Sequence, residues 1–217
     1  MPHPETTADI DAAALASIAE RKAALRARLL ARRRAIPAEA AEAAARAVRD
    51  GLMRATMPPP GAVVAGYWPI RGELDPRPSL HALAARGHVL ALPRTPPPGA
   101  APRLTFHVWD GTAGSLAPGP FATRHPPGTA PAVTPDWLLV PLVGFDRTGA
   151  RLGYGGGYYD RCLRPASGGP APVAIGLAYA CQEVGADDGG LPVAPHDVRL
   201  RAIVTERTLI QPVAGDP

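Results

Sequence analysis

The sequence predicts a single three-layer α/β/α domain with a mostly parallel sheet. Three observations point there. Two Ala- and Arg-rich helical stretches end in a change of period at Ala62; short apolar runs then alternate with helix-length segments; and the most apolar run precedes a glycine-rich loop. Strands alternating with helices form a parallel sheet covered on both faces, so its strands read as continuous apolar runs.

Residues of about 9 to 35 contain no internal Pro or Gly, and Leu15, Ile18, Ala19, Lys22, Leu25, Leu29 and Leu30 share a largely apolar helical stripe. Pro37 ends this helix, and a second covers 38 to 55, closing near Met57-Pro58-Pro59-Pro60. Ala62 to Trp68 (AVVAGYW) reads as a buried strand. Asp75 before Pro76 resembles an N-cap with proline at the first helical position, opening a helix over about 76 to 86 that ends at Gly87. His88 to Leu92 is the next strand, stopped by Pro93, which completes a βαβ unit. Leu104 to Trp109 alternates and reads as an antiparallel edge strand; the Pro/Gly-rich stretches 95–103 and 111–135 read as loops within one domain. Trp137 to Val143 is the most apolar strand and leads into the glycine loop, with a helix expected over about 156 to 164. Val173 to Ala178 and Ala202 to Val204 complete the strands.

Composition narrows the function classes. At 46% hydrophobic and 19% charged residues, the 217-residue chain should be globular, with one substantial core. No apolar run approaches the roughly 18–20 residues that span a bilayer. Met1 to Glu20 lacks a basic segment followed by an apolar one, so no signal peptide is read and a cytoplasmic protein without membrane partners is expected. Cys162 and Cys181 form no CxxC and no metal spacing, which fits reduced thiols. The net charge is +4, carried by 22 Arg and a single Lys, Lys22. That excess suits an anionic substrate without implying nucleic-acid binding. Arg26, Arg28, Arg32, Arg33 and Arg34 form either a basic patch or, for most of the run, a solvated helix face.

The chemistry concentrates in Arg151-Leu152-Gly153-Tyr154-Gly155-Gly156-Gly157-Tyr158-Tyr159-Asp160. Glycines let backbone N–H groups turn toward an anion, the N-terminus of the following helix adds partial positive charge, and Arg151 supplies a fork matching phosphate oxygens. The loop is neither a Walker A sequence nor a GxGxxG dinucleotide fingerprint. From its glycines alone, a tight turn without a ligand remains the alternative.

The longer stretch Val140 to Arg161, with Phe145-Asp146-Arg147-Thr148-Gly149-Ala150-Arg151 before the glycines and Tyr158-Tyr159-Asp160 after them, resembles the signature of the 5-formyltetrahydrofolate cyclo-ligase family. Other segments match in order: Lys22-Ala23-Ala24-Leu25-Arg26, Tyr67 to Asp75 around Glu73, Gly176 to Gln182, Pro195-His196-Asp197-Val198, and Ile203 to Glu206. The resemblance covers residues of about 20 to 207, leaving 1–19 as an N-terminal extension and 208–217 as a C-terminal tail.

The resemblance implies the fold shared by sugar-phosphate isomerases and CoA transferases (the NagB/RpiA/CoA transferase-like fold). It also implies Mg2+- and ATP-dependent conversion of 5-formyltetrahydrofolate to 5,10-methenyltetrahydrofolate, with release of ADP and phosphate. A formamide carbon is a poor electrophile. Phosphorylation of its oxygen gives an iminium phosphate, which the N10 amine attacks as phosphate departs. By resemblance, Lys22, Arg26 and Arg151 through Leu152, Gly153, Tyr154, Gly155, Gly156, Gly157, Tyr158 and Tyr159 bind ATP, and Arg151 stabilises the transferred phosphoryl group. Asp160 and Asp197 hold Mg2+. Glu73 reads the pterin ring, with Trp68, Tyr154 and Tyr158 as further folate contacts. Small molecules are thus the expected partners of a monomer or homodimer.

Plainer readings stand beside these roles: solvated charges for Lys22 and Arg26, a carboxylate paired with Arg161 or Arg164 for Asp160, a loop cap for Asp197, a surface residue beside Arg71 for Glu73. A diverged relative acting on another N-formyl compound, or a non-enzymatic folate-binding protein, would share much of the pattern. Phe121 to Pro131, with His125-Pro126-Pro127, departs from the family by lacking a Glu-Pro pair, so the folate side is expected to differ in contact or loop shape.

Overall fold

Between Ala55 and Ala62 the hydrophobic period changes from helical to strand-like, and the architecture changes with it. A computed structural model describes residues 7–55, 57–97, 99–164 and 170–212. Two helices, α1 (Thr7–Arg34) and α2 (Ala38–Ala55), come first. They are followed by β1 (Val63–Ala65), α3 (Arg77–Ala84), β2 (Val89–Arg94), β3 (Thr105–Val108), β4 (Ala117–Pro118), β5 (Arg124–His125) and β6 (Ala132–Val133). Next come β7 (Trp137–Pro141), a hairpin of β8 (Gly144–Phe145) and β9 (Arg151–Leu152), α4 (Tyr158–Leu163), β10 (Val173–Leu177), β11 (Ala202–Val204) and β12 (Leu209–Ile210).

The main sheet has the order β12-β11-β10-β7-β1-β2-β3-β6. Its five central strands are parallel; β12 and β3 run antiparallel to them at the sides, and β6 pairs antiparallel with β3. Successive side chains of the central strands go to opposite cores. Val64, Leu90, Leu92, Leu139, Ile175 and Leu177 pack with Val48 and Leu52 of α2 and Leu80 and Leu83 of α3. Ala65, Ala91, Leu138, Val140 and Ala174 pack on the other side with Leu163 of α4. The sheet is therefore buried on both faces, the condition under which its strands lose polar alternation. The three-layer α/β arrangement is the predicted one.

Several boundaries differ from expectation. β2 continues through Pro93, which pairs with Phe106. The ladder to β1 ends at Ala91, whose carbonyl accepts Gly66 N–H at 3.0 Å, so the missing N–H of Pro93 faces a side without a strand. β3 is not the edge, because Ala132–Val133 of the Pro/Gly-rich connection pairs outside it. The α3 helix begins at Arg77 with Pro76 at the cap, yet the Asp75 carboxylate still accepts Arg77 N–H at 2.9 Å. β1 is shorter than the apolar run, since Gly66 to Trp68 leave the ladder toward the turn that carries Glu73. Leu209–Ile210, beyond position 207, adds a strand to the sheet.

The α1 stripe is buried only toward its C-terminal end. Leu25 and Leu29 pack against Val143, Leu152 and Val184, whereas Leu15 is 47% exposed. A Cβ at Gly144 would collide with Leu29 Cδ1, so this glycine lets α1 lie directly on the hairpin. One member of the basic run is not solvated: Arg33 is 2% exposed. It falls four residues after Leu29 and so shares its inward face.

Candidate active site

The strand β7 was expected to lead straight into the glycine loop, but the β8–β9 hairpin stands between them. Its tip is closed by Asp146, whose Oδ1 accepts the N–H groups of Thr148 at 2.8 Å and Ala150 at 3.2 Å. The hairpin delivers Arg151 with its side chain 5% exposed. One guanidinium nitrogen donates to the Val198 carbonyl, and the other to Asp160 Oδ1 at 2.7 Å. Asp160 Oδ1 also accepts Val198 N–H at 3.3 Å. Asp160 therefore pairs with Arg151 rather than with Arg161 or Arg164, and the pair ties α4 to the segment carrying Asp197. Arg151 is a fixed, buried charge and not a solvent-facing fork.

From α1, Lys22 Nζ meets Asp197 Oδ2 at 2.5 Å. The same oxygen accepts Ala194 N–H at 2.7 Å, so Asp197 is a loop cap and an ion-pair partner together. One helical turn on, Arg26 Nε donates to the Gly153 carbonyl at 2.8 Å, and burial lowers its pKa from the usual arginine range. A Cβ at Gly155 would lie 3.6 Å from the Arg26 guanidinium. Gly155 and Gly157 have φ of +101° and +64°, values that side-chain-bearing residues rarely adopt. The helix after the loop is shorter than the expected 156–164, at six residues. With fewer aligned peptides its dipole is a weaker source of positive charge than expected; the full positive charges beside the loop are those of Lys22, Arg26 and Arg151.

The donor set fits Mg2+. Among the described residues, Asp160 Oδ2 makes no hydrogen bond, and Asp197 Oδ1 has only the His196 ring 4.0 Å away. Two hard carboxylate oxygens suffice for an ion that keeps several waters and completes its shell with phosphates. No group of three or more His, Cys, Asp or Glu gathers among the described residues, so an all-protein cage is not offered.

The other half of the site is built around Glu73. It is 8% exposed, not a surface residue, and its Oε2 accepts Ile70 N–H at 2.9 Å. Burial pushes its carboxyl up to about 7, against the Ile70 N–H, Arg33, the Tyr154 hydroxyl and Arg71, which hold it down. Tyr154, from the glycine loop, lies between two arginines: the guanidinium carbons of Arg33 and Arg71 are 5.7 Å and 5.5 Å from its ring centre. Arg33 also donates to the Tyr154 hydroxyl. Tyr158, the first residue of α4, is half-buried against the core and lies over Gly156, where a Cβ would come 2.7 Å from its ring. Burial raises the Tyr159 hydroxyl well above the usual tyrosine range.

A family model described as the 5-formyltetrahydrofolate cyclo-ligase family matches residues 18–206. This chain belongs to that family. A Mycolicibacterium smegmatis 5-formyltetrahydrofolate cyclo-ligase is 33% identical over 190 residues, covering 86% of this chain and 94% of the relative. An Escherichia coli 5-formyltetrahydrofolate cyclo-ligase is 34% identical over 146 residues, covering 65% and 76%. In three dimensions, Aquifex aeolicus 5,10-methenyltetrahydrofolate synthetase superposes with a TM-score of 0.70 at 27% identity, over 90% of this chain and 95% of the other. A Mycoplasma pneumoniae synthetase shares the fold, at a TM-score of 0.64 and 24% identity.

Within this cyclo-ligase family member, direct contacts form three pairs, Lys22–Asp197, Arg26–Gly153 and Arg151–Asp160, along α1 and the loop, while Tyr154 of the same loop lies beside Glu73. Trp68 stands apart. It packs edge-on against Trp109 at 6.5 Å, with Arg77 and Arg124 at 4.8 Å and 5.9 Å from its ring. Arg124 lies in the stretch that departs from the family pattern, so that stretch touches the expected folate side through Trp68. Trp109 is a core residue, 4% exposed, donating to the Thr112 carbonyl at 2.8 Å. Sequence reasoning missed two residues. Arg33 was grouped with solvated arginines, although its spacing from Arg26 and Leu29 puts it on the buried face. Gln182, 1% exposed, donates to the carbonyls of Leu142 and Val143 at 2.7 Å and 2.9 Å and fixes the approach to the hairpin.

Proposed function

We propose that this protein catalyses the Mg2+- and ATP-dependent cyclisation of 5-formyltetrahydrofolate to 5,10-methenyltetrahydrofolate, releasing ADP and phosphate. The observation that carries this reading is the meeting of two kinds of environment on one loop. Two cation–carboxylate pairs, Lys22–Asp197 and Arg151–Asp160, flank the glycines. A buried carboxylate, Glu73, faces Tyr154 of the same loop. The first suits a metal–triphosphate, and the second suits the ring N–H and amino donors of a pterin.

In this reading Lys22, Arg26 and the loop N–H groups hold the ATP phosphates. Asp160 and Asp197 would hold Mg2+, which would supply positive charge to the phosphates. Glu73, Tyr154, Tyr158 and Trp68 place the folate so that its formyl oxygen faces the γ-phosphorus. That oxygen attacks phosphorus and the bond to ADP breaks. The N10 lone pair then attacks the iminium carbon, the carbon–oxygen bond breaks, and phosphate leaves as N10 loses its proton. Arg151 fixes Asp160 and lends its charge to the phosphoryl group in transfer. Alignment of this kind is worth roughly 7–11 kcal/mol in favourable cases, and fixed charges add to it. The fold further fits the kinship with sugar-phosphate isomerases and CoA transferases that the motifs imply.

The test is the absorbance of the methenyl product. Purified protein with Mg2+, ATP and the 6S folate should give a rise that requires both ATP and metal, with one ADP per product. ATP binding without cyclisation would instead favour another N-formyl substrate. Absence of ADP release with any formyl-folate would favour a binding protein.

A further inference from the structure

The buried cation Arg33 is used by neither ion pair of the phosphate side. We infer that Arg33 is a positioning residue that holds the folate-facing turn and Tyr154 in register with the phosphate-facing helix. The inference rests on the proposed cyclisation and adds a residue to it.

Lys22, Arg26 and Arg33 lie on one face of α1, with Arg33 about three turns, or about 16 Å, beyond Lys22. The lower part of that face meets Asp197 and Gly153. At its upper end, one Arg33 nitrogen donates to the Arg71 carbonyl at 2.9 Å and to the Tyr154 hydroxyl, while the other reaches the Leu142 carbonyl at 3.5 Å. Three segments thus converge on one guanidinium: the turn carrying Glu73, the end of β7 before the hairpin, and the glycine loop. No carboxylate pairs with Arg33 among the described residues, and its buried Nε has no hydrogen-bond partner. A buried charge left in this state is costly, and a core alone would not need it. Arg71, whose carbonyl it holds, has φ of +49°, a conformation that requires external support in a non-glycine residue.

The groups facing Glu73 are Arg33 from α1, Arg71 and Asp75 on its own segment, Tyr67 behind it, Tyr154 and Tyr159 from the loop and α4, and Tyr179 after β10. The two arginines are the only cations in this set, so removing Arg33 leaves Arg71 as the one cation that favours the ionised carboxylate, beside the Ile70 N–H and the Tyr154 hydroxyl.

Arg33→Met and Arg33→Lys separate the two contributions. Folate KM, ATP KM and kcat would be followed from pH 5.5 to 9 in the cyclisation assay, with equilibrium binding of 5-formyltetrahydrofolate alongside. In Arg33→Met, folate KM should rise on the order of tenfold, the scale of one charge-assisted hydrogen bond. ATP KM should change by less than about threefold, and the acid limb of folate binding should move to higher pH. Arg33→Lys keeps the charge and loses the fork, so folate KM should rise with the limb near its wild-type position. If Arg33→Met does not fold, the KM split in Arg33→Lys decides. An equal rise in both KM values, or folate KM unchanged in the folded variants, overturns the inference. Loss of cyclisation in the wild-type protein would overturn the proposed function instead.

Discussion

The two halves of the site keep their charges in opposite ways. On the phosphate side every cation named for ATP has a partner already: Lys22 has Asp197, Arg151 has Asp160, and Arg26 has the Gly153 carbonyl. On the folate side Glu73 is buried with no ion-pair partner among the described residues, and Arg33 has only carbonyls and a hydroxyl. The contrast suits the ligands proposed. A metal–triphosphate brings both signs, so paired residues can exchange one partner for another without leaving a bare charge. A pterin edge brings neutral donors, which bind strongly only to an acceptor that has no better partner.

The phosphate side should break most severely at Arg151. Arg151→Ala removes two hydrogen bonds and leaves Asp160 without its cation. We expect a loss of kcat of about 10³-fold and of stability by about 2–3 kcal/mol. Arg151→Lys should recover little of either, because a single ammonium cannot reach Val198 and Asp160 with the same geometry. The methenyl absorbance assay and thermal unfolding check both; an unchanged kcat in Arg151→Ala would remove Arg151 from the site.

Glu73→Gln attacks the other half and should separate binding from stability. Because the folded carboxyl titrates near 7, the folded state binds the extra proton between about 4.5 and 7. Stability therefore falls as pH rises through that window, and above it the cost is about 3 kcal/mol at most. Glutamine carries no charge to bury. The variant should unfold later than wild type at pH 8, match it near pH 4.5, and raise folate KM by about 10²-fold. Thermal scans across pH that stay parallel for the two proteins would contradict the assignment.

This contrast also marks how far the sequence could be read. The sheet was legible because burial on both faces leaves a strong signal in runs such as Trp137 to Pro141, and the glycine loop was legible because glycines beside an arginine are a local motif; the pairing of Lys22 with Asp197, 175 residues apart, was not. The hairpin was hidden inside the motif: its strands are two residues each, too short for periodicity to register. Arg33 was hidden by its neighbours, since three consecutive arginines look alike until the face of α1 that packs is known. The state of Glu73 was illegible for a different reason. Its burial is produced by α1, the glycine loop and Tyr179 after β10, all distant in sequence, and no local pattern encodes desolvation.

At the carboxylates proposed to hold Mg2+ the effect should be smaller and specific. Asp197→Asn and Asp160→Asn should each raise the Mg2+ concentration for half-maximal rate by about tenfold. Lys22→Met should raise ATP KM by a similar factor, about tenfold, because it loses a phosphate partner while Asp197 keeps the Ala194 N–H. A Mg2+ titration that is identical in wild type and both asparagine variants would exclude these carboxylates as ligands.

The smallest effect is the one that addresses the unusual loop. Arg124 contributes a guanidinium 5.9 Å from the Trp68 ring, and Arg77 stands closer at 4.8 Å. Exposed cation–π contacts are worth about 0.5–1 kcal/mol, so Arg124→Ala should raise folate KM by no more than about fivefold and leave ATP KM unchanged. Arg77→Ala should do more, since Arg77 also pairs with Asp75 at 2.7 Å, two residues after Glu73. If Arg124→Ala has the larger effect, the departure from the family pattern has moved a folate contact from the Glu73 turn onto the loop, and Trp68 belongs to the folate half after all. If neither variant moves folate KM, Trp68 is a core residue packed on Trp109, and the folate half reduces to Glu73, Tyr154 and the arginines around them.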